Sequence, residues 1–208
     1  MINRSALKSW SLDSLKGNWG TAIGAYLIYF VIVSVLSAVT SGIGSIFSGL
    51  VMLGYVAITL SIIRTKSAKI NLMLSAATEN FGTKFVSTLL VSLFTYLWSL
   101  LFVIPGIVKG YSYAMTNYIL LDRPELGAAD AITESRKMMD GHKMELFLLD
   151  LSFFGWYCLV ALTFGIASLY VTPYHMGARA AFYETLKSAS TEVDSTAAEN
   201  TATEETVA

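Results

Sequence analysis

Asp150, His175 and Arg179 are the residues whose types and spacing could do chemistry, because each is an ionisable group set inside a long apolar run. A charge at bilayer depth costs roughly 2.5–3.5 kcal/mol on insertion scales, so it normally has a partner or a purpose. Asp150 lies seven residues beyond Lys143, about 10 Å along a helix at ~1.5 Å per residue, and Arg179 lies eight residues before Lys187. Counted from a turn at Gly165, Asp150 is 15 residues back and Arg179 is 14 forward, which puts them at one depth on adjacent antiparallel helices. The expectation is that they pair. Three roles fit such residues: an ion pair that locks two helices, a proton or substrate relay, and two charges that reach the interface separately. Pro173 predicts a kink in the same stretch, where Tyr174 and His175 are polar groups able to satisfy the loosened backbone or to serve a proton path.

Other candidates carry less. Lys109 with Tyr111 and Tyr113 reads as an anchor at the outer interface, with an ion gate as the alternative. His142 and His175 each lack a second histidine, or a carboxylate at metal-ligand spacing, so a zinc site is not expected. The single cysteine, Cys158, falls in an apolar run and reads as a buried structural thiol, with no intramolecular disulfide. No G-x-S-x-G, H-E-x-x-H, P-loop or G-x-G-x-x-G is present. The expectation is a protein that is not an enzyme, with no catalytic residue, cofactor or metal.

The elements that must hold these residues follow from composition. The 208 residues are 54% hydrophobic and only 14% charged, against about 25% charged in soluble domains. The net charge of −1 hides an asymmetry, since five acids and no base follow Lys187. The mildly basic body suits an anionic lipid surface and is too weak to indicate nucleic acid.

Gly20 to Ile63 contains no charge, and as one helix would be about 66 Å long, roughly twice a ~30 Å hydrocarbon core. It must fold back, and Thr40-Ser41-Gly42-Ile43-Gly44-Ser45 supplies turn residues. The same reasoning divides Phe85–Leu121 at Ile104-Pro105-Gly106 and Met144–Leu186 at Thr163-Phe164-Gly165. The predicted fold is an all-α membrane protein, six transmembrane helices in three hairpins, with spans near 20–39, 44–63, 85–104, 106–121, 144–163 and 165–186. A signal-peptide reading of the first run, with Leu36-Ser37-Ala38 as cleavage site, fails on the length of the run. Gly20 with Gly24, and Ser45 with Gly49, make small-residue pairs that let helices approach, read as packing within the subunit ahead of a dimer face.

Short amphipathic helices are expected at the cytoplasmic interface before each hairpin: one within residues 1–19, one after Asn71 as cap in the linker 64–84, and one in the linker 122–143. In the last, Asp122 and Glu125 resemble a capping box around Pro124, and Ala128, Ala131, Ile132, Ser135, Met138 and Met139 recur at helical spacing until Gly141 ends the helix. This stripe could cover the ends of the spans, lie on the membrane, or enter a partner's groove. Residues 188–208 read as a disordered acidic tail beyond a membrane domain of 1–187. With three hairpins, 13 of the 14 Lys and Arg residues lie on one side and Lys109 on the other, which predicts cytoplasmic N- and C-termini in the plasma membrane.

The three entries LKGNWGTAI, ENFGTKFVS and MDGHKMELF each place a glycine two residues before a Trp or Lys. Internal duplication and convergence on one way into the bilayer both explain this. The strings NRSALKSWSLDSLKGNWGTAI, LFVIPGIVKGYSYAMTNYILLDRPELGAADAITESRKMMDGHK, LDLSFFGWYCLVALTFGIASLYVTPY and ARAAFYETL resemble the bacterial membrane-protein family called domain of unknown function 975, found mainly in Gram-positive species. The resemblance runs to Leu186 and implies a multi-span plasma-membrane fold, with no catalytic residue to carry over. It extends distantly to the membrane domain attached to some glycerophosphodiester phosphodiesterases.

Two functions are carried forward. One is a non-enzymatic scaffold, regulator or envelope-stress interaction protein whose partners are membrane lipids and a membrane or cytoplasmic protein. The other is a small transporter or channel for an ion or small solute, with Asp150, Arg179 and His175 as its polar group. A homo-oligomer is compatible with the sequence but not indicated by it.

Overall fold

The computed structural model describes residues 3–39, 48–67, 69–101 and 103–207. Among these residues the chain is all-helical, without a strand. The first helix, α1 (Arg4–Leu15), starts where the Asn3 side chain accepts from the Ser5 and Ala6 amides, and it is followed by Gly17 at φ +82°. The long apolar α2 (Trp19–Val39) comes next, then α3 (Ser48–Thr65). The turn expected at Thr40–Ser45 lies outside the described residues.

The same order recurs. A short α4 (Asn71–Thr78) precedes the long α5 (Phe81–Leu101), followed by α6 (Val103–Ser112) and α7 (Thr116–Asp122). A short α8 (Ala128–Met138) precedes α9 (Lys143–Leu151) and α10 (Phe154–Leu162), followed by α11 (Ser168–Val207). A residue in the left-handed region separates each short helix from the next: Gly17, then Asn80 at φ +51°, then Gly141 at φ +78°. In the second copy the expected glycine, Gly82, sits inside α5, and Asn80 takes the left-handed position, its side chain donating to the Pro124 carbonyl at 2.7 Å. Asparagine tolerates this conformation better than other residues with a side chain.

Three stretches are long and apolar enough to cross a membrane: Trp19–Ala38, Phe81–Trp98 and Lys143–Leu162. They lie at the periphery, with only 11%, 11% and 17% of their residues buried. Leu27, Phe30, Val31 and Val35 on α2 and Leu93, Tyr96 and Leu97 on α5 are exposed. The centre is α3, whose Leu53, Tyr55, Val56, Ile58, Leu60, Ile62 and Ile63 are all buried. Against it packs α11, with Val171, Ala178, Ala180, Ala181 and Phe182 inaccessible.

Small residues permit this packing. A Cβ on Gly54 of α3 would stand 2.6 Å from the Met73 carbonyl oxygen of α4, and one on Gly177 of α11 would stand 2.4 Å from Ser11 Oγ of α1. Ser11 Oγ donates to the Tyr174 carbonyl at 2.9 Å, so α1 is held against α11 with Leu7, Ser11, Ser14 and Leu15 buried. Its polar, small-residue seam explains why its apolar face looks ragged in sequence.

Several expectations are corrected. Of the sequence-selected glycines, Gly49 packs tightly on Thr88 of α5, but Gly20 has nothing within 4 Å of a Cβ and Gly24 meets only Ile70 at 3.9 Å. Gly20 faces outward, and neither glycine marks a close approach of two helices. Asn71 is the first residue of α4, and its N-cap position is Ile70, without a side-chain hydrogen bond. Pro105 does not make a turn; it lies in the first turn of α6, where a missing amide hydrogen is tolerated. The fourth and fifth predicted spans are each interrupted, at Tyr113–Met115 and at Ser152–Phe153. Tyr113 is buried beside Phe94, and Tyr111 points inward, away from an interfacial belt. Cys158 is exposed, because α10 buries none of its residues. Residues 188–207, expected to lack regular structure, continue α11, whose packed half has already met the cost of nucleation.

Candidate functional site

Asp150, on the last turn of α9, is the centre of a half-buried polar cluster. Its Oδ1 accepts from Arg179 Nε at 3.0 Å, and its Oδ2 accepts from the Arg179 Nη2, a bidentate fork. His175 and Arg179 stand four residues apart and therefore share one face of α11. His175 Nε2 reaches Asp150 Oδ1 at 2.8 Å, and its Nδ1 reaches the Tyr157 hydroxyl of α10 at 2.7 Å. Tyr111 of α6 donates its hydroxyl to Asp150 Oδ2 at 3.0 Å. Four helices thus converge on one carboxylate, whose side chain is 16% exposed. The structure brings Asp150 and Arg179 together, the pairing that the residue count from Gly165 predicts.

Pro173 is buried and α11 continues through it. Tyr174 packs edge-on against Phe153 with centroids 4.9 Å apart, and its carbonyl is the one held by Ser11. His175 joins the carboxylate cluster, and Ser11 of α1 holds the neighbouring Tyr174 carbonyl. Sequence reasoning does not find Tyr157 and assigns Tyr111 to an interfacial anchor instead of this cluster. Tyr157 follows Asp150 by seven residues, one helical face, and that spacing was the available signal for it. Tyr111 gave none, since its contact depends on the packing of α6 against α9.

A groove of about 560 Å³ opens from the cluster toward the periphery, lined by Gly106, Ile107, Gly110, Tyr111, Ala114, Thr95 and Phe147, with Arg179 at its inner end.

A second ionic centre joins the ends of three helices. Asp122 closes α7 and accepts from Arg64 of α3 at 2.7 Å, from Lys187 at 2.6 Å and from the Tyr183 hydroxyl at 2.8 Å, both of α11. Arg64 also pairs with Glu184. Burial opposes charge on Asp122, but the hydrogen bonds from Arg64, Lys187 and Tyr183 prevail and hold its carboxyl down at about 2. Asp122 is consequently no capping residue, and α8 begins instead after Gly127, without a side-chain cap. Two cations and a phenol outcompete a single backbone amide.

The stripe on α8 is occupied within the chain. Ala128, Ala131, Ile132, Ser135 and Met139 are buried and Met138 is half-buried against the core. Ser135 Oγ donates to the Ser112 carbonyl at 2.9 Å and accepts from the Met115 amide at 3.2 Å, which satisfies both ends of the break between α6 and α7. Its outward face is charged, with Asp130, Arg136 and Lys137 exposed. Among the described residues no group of three or more His, Cys, Asp and Glu could hold a metal ion.

These features define a helical protein with three peripheral apolar stretches of membrane-crossing length around a core of apolar packing flanked by partly buried ion pairs. The family model described as protein of unknown function (DUF975) matches residues 1–109 and 100–190. The chain belongs to that family. No curated protein and no solved structure matches it.

Proposed function

We propose that the chain crosses the plasma membrane six times with both termini in the cytoplasm, and that it works by interaction as a scaffold or regulator of the envelope. Length and hydropathy pick out three crossings; α3, the α6–α7 segment and the first half of α11 supply the returns. A return surrounded by protein does not need a lipid-like surface, which is why α11 can carry Arg179 and α7 can be short. The ionic centre at Asp122 falls at the cytoplasmic end on this reading, and the Asp150 cluster about 10 Å deeper.

The observation that carries the interaction reading is the packed interior. Tyr55, Ile58 and Ile62 of α3 close on Met115, Ile119 and Phe182. Asp150 is bound to Arg179, and Asp122 to Arg64 and Lys187, so the Asp150 cluster serves as a lock that joins helices. The surface left for a partner is the charged outer face of α8, with Asp130, Arg136 and Lys137.

A specific observation favours transport as the second reading. Tyr111, Asp150, His175 and Tyr157 form an unbroken hydrogen-bonded chain of the kind that can pass a proton. Proteoliposomes loaded with a pH-sensitive dye decide between the two. The interaction reading expects no proton flux above empty vesicles. Flux that Asp150→Asn abolishes while the fold persists establishes transport and overturns it. Cysteine labelling from either side, at Lys137→Cys and at the tip near Gly165, tests the topology independently.

A further inference from the structure

We propose that Arg4 and Lys8 form a binding site for a phosphate-bearing anion, held as the headgroup of an anionic phospholipid. A groove of about 660 Å³ lies between α1 and α9, lined by Asn3, Arg4, Lys8, Glu145, Leu148 and Ser152 among others. Arg4 and Lys8 stand four residues apart on one face of α1, an arrangement in which like charges repel unless an anion lies between them.

Lys8 is fixed in place. Its Nζ donates to the Ser152 carbonyl at 3.1 Å, in the break between α9 and α10, and lies 4.5 Å above the Phe153 ring. Neither contact neutralises it, and burial together with the Arg4 charge pulls its pKa below the usual lysine range. Glu145, on the opposite wall, is bonded to His142 Nδ1 at 2.9 Å. The amides at the start of α1 are capped by Asn3, so the attraction for an anion comes from the two side chains.

A lipid fits the surroundings better than a free phosphate. Below the cations the wall of the groove is Leu148, and Leu151 and Phe154 continue exposed along α9 and α10, a track for an acyl chain. The site thus lies where the basic start of the chain meets the entry of the third long apolar stretch. This inference rests on the membrane reading above.

Native mass spectrometry of the full chain in detergent tests it with three probes: phosphatidylglycerol, phosphatidylcholine and glycerol 3-phosphate. Phosphatidylglycerol should bind in preference to phosphatidylcholine. Each cation near such a headgroup is worth about fivefold, so Arg4→Gln should lower occupancy about fivefold and Arg4→Gln with Lys8→Gln about 30-fold. Arg4 is exposed and its replacement removes no contact that holds α1, so the single variant keeps the test open if the double variant unfolds. Competition by glycerol 3-phosphate at equal affinity supports the cation pair with a soluble ligand, and failure to compete supports the lipid. An unchanged preference for phosphatidylglycerol in the folded Arg4→Gln protein overturns the site. The measurement does not depend on sidedness, so its failure leaves the topology standing, and a reversed topology leaves the binding measurable.

Discussion

Gly177→Ala tests the docking of α1 on α11. A Cβ at this position stands 2.4 Å from Ser11 Oγ, about 1 Å inside ordinary contact, while its distances to Ser11 Cβ and Ile63 Cδ1 are 3.4 and 3.8 Å. The clash is therefore with one atom, the hydroxyl that holds the Tyr174 carbonyl. Three effects compete. Alanine gains about 1 kcal/mol of helix propensity over glycine. Overpacking costs about 1–3 kcal/mol, and turning Ser11 aside loses a hydrogen bond of about 0.5–1.5 kcal/mol. The net expectation is a loss of about 0.5–3.5 kcal/mol, with about 2 in the middle of the range, or about 4–8 °C in Tm at that midpoint for a chain of this size, read by thermal unfolding in detergent. The partner substitution makes the reasoning sharp. Ser11→Ala removes the clashing atom and leaves two methyls at ordinary contact, so Gly177→Ala should be tolerated in that background and gain from helix propensity. If Gly177→Ala alone raises Tm, or the two changes add without coupling, α1 does not sit on α11 as described.

Asp150→Asn leaves Arg179 with a neutral acceptor in a site closed by Tyr111 and His175, and should cost about 3 kcal/mol in unfolding free energy; an equal loss for His175→Ala would show that the imidazole matters as much as the fork. Ser135→Ala strands the Ser112 carbonyl and the Met115 amide at the break between α6 and α7, so a loss of about 1–3 kcal/mol is expected, with faster hydrogen exchange at Met115. Asp122, with its folded pKa depressed to about 2 against roughly 3.9 unfolded, contributes on the order of 2 kcal/mol that is fully present above about pH 4 and lost as pH falls toward 2; Asp122→Asn should flatten the acid limb of a Tm-against-pH curve. Gly54→Ala should be more damaging than Gly177→Ala, because the obstacle at 2.6 Å is the backbone oxygen of Met73, which cannot rotate away.

Much of the architecture was legible because run length and charge placement act on whole stretches. The helical class, the long apolar helices from Trp19 and Phe81, the turn at Phe164–Gly165 and the depth match of Asp150 with Arg179 all follow from counting. Contacts that depend on which face of a helix meets which neighbour were not. Gly20 and Gly24 carry the familiar spacing yet meet no other helix closely, whereas Gly54, pressed on the Met73 carbonyl, has no such spacing; Gly177 does have it, four residues before Ala181, and it is the position that meets Ser11. Arg64 and Asp122 read as boundary and cap because sequence distance, 58 residues, conceals that they end neighbouring helices. The breaks at Tyr113–Met115 and Ser152–Phe153 were hidden for another reason: the groups that satisfy them, Ser135 and Lys8, come from distant parts of the chain.

The asparagine at position 80 has a consequence for how the three copies of the motif relate. Glycine at the first and third junctions supplies only freedom of the main chain, whereas the amide of Asn80 also grips the loop that leads into the third copy. The junctions are therefore not interchangeable parts: a chimera that transplanted the first corner into the second would bend correctly and yet leave the neighbouring unit untethered. The likeness of the three corners thus stops at the main chain, and the second alone carries the side chain that holds the following unit in register.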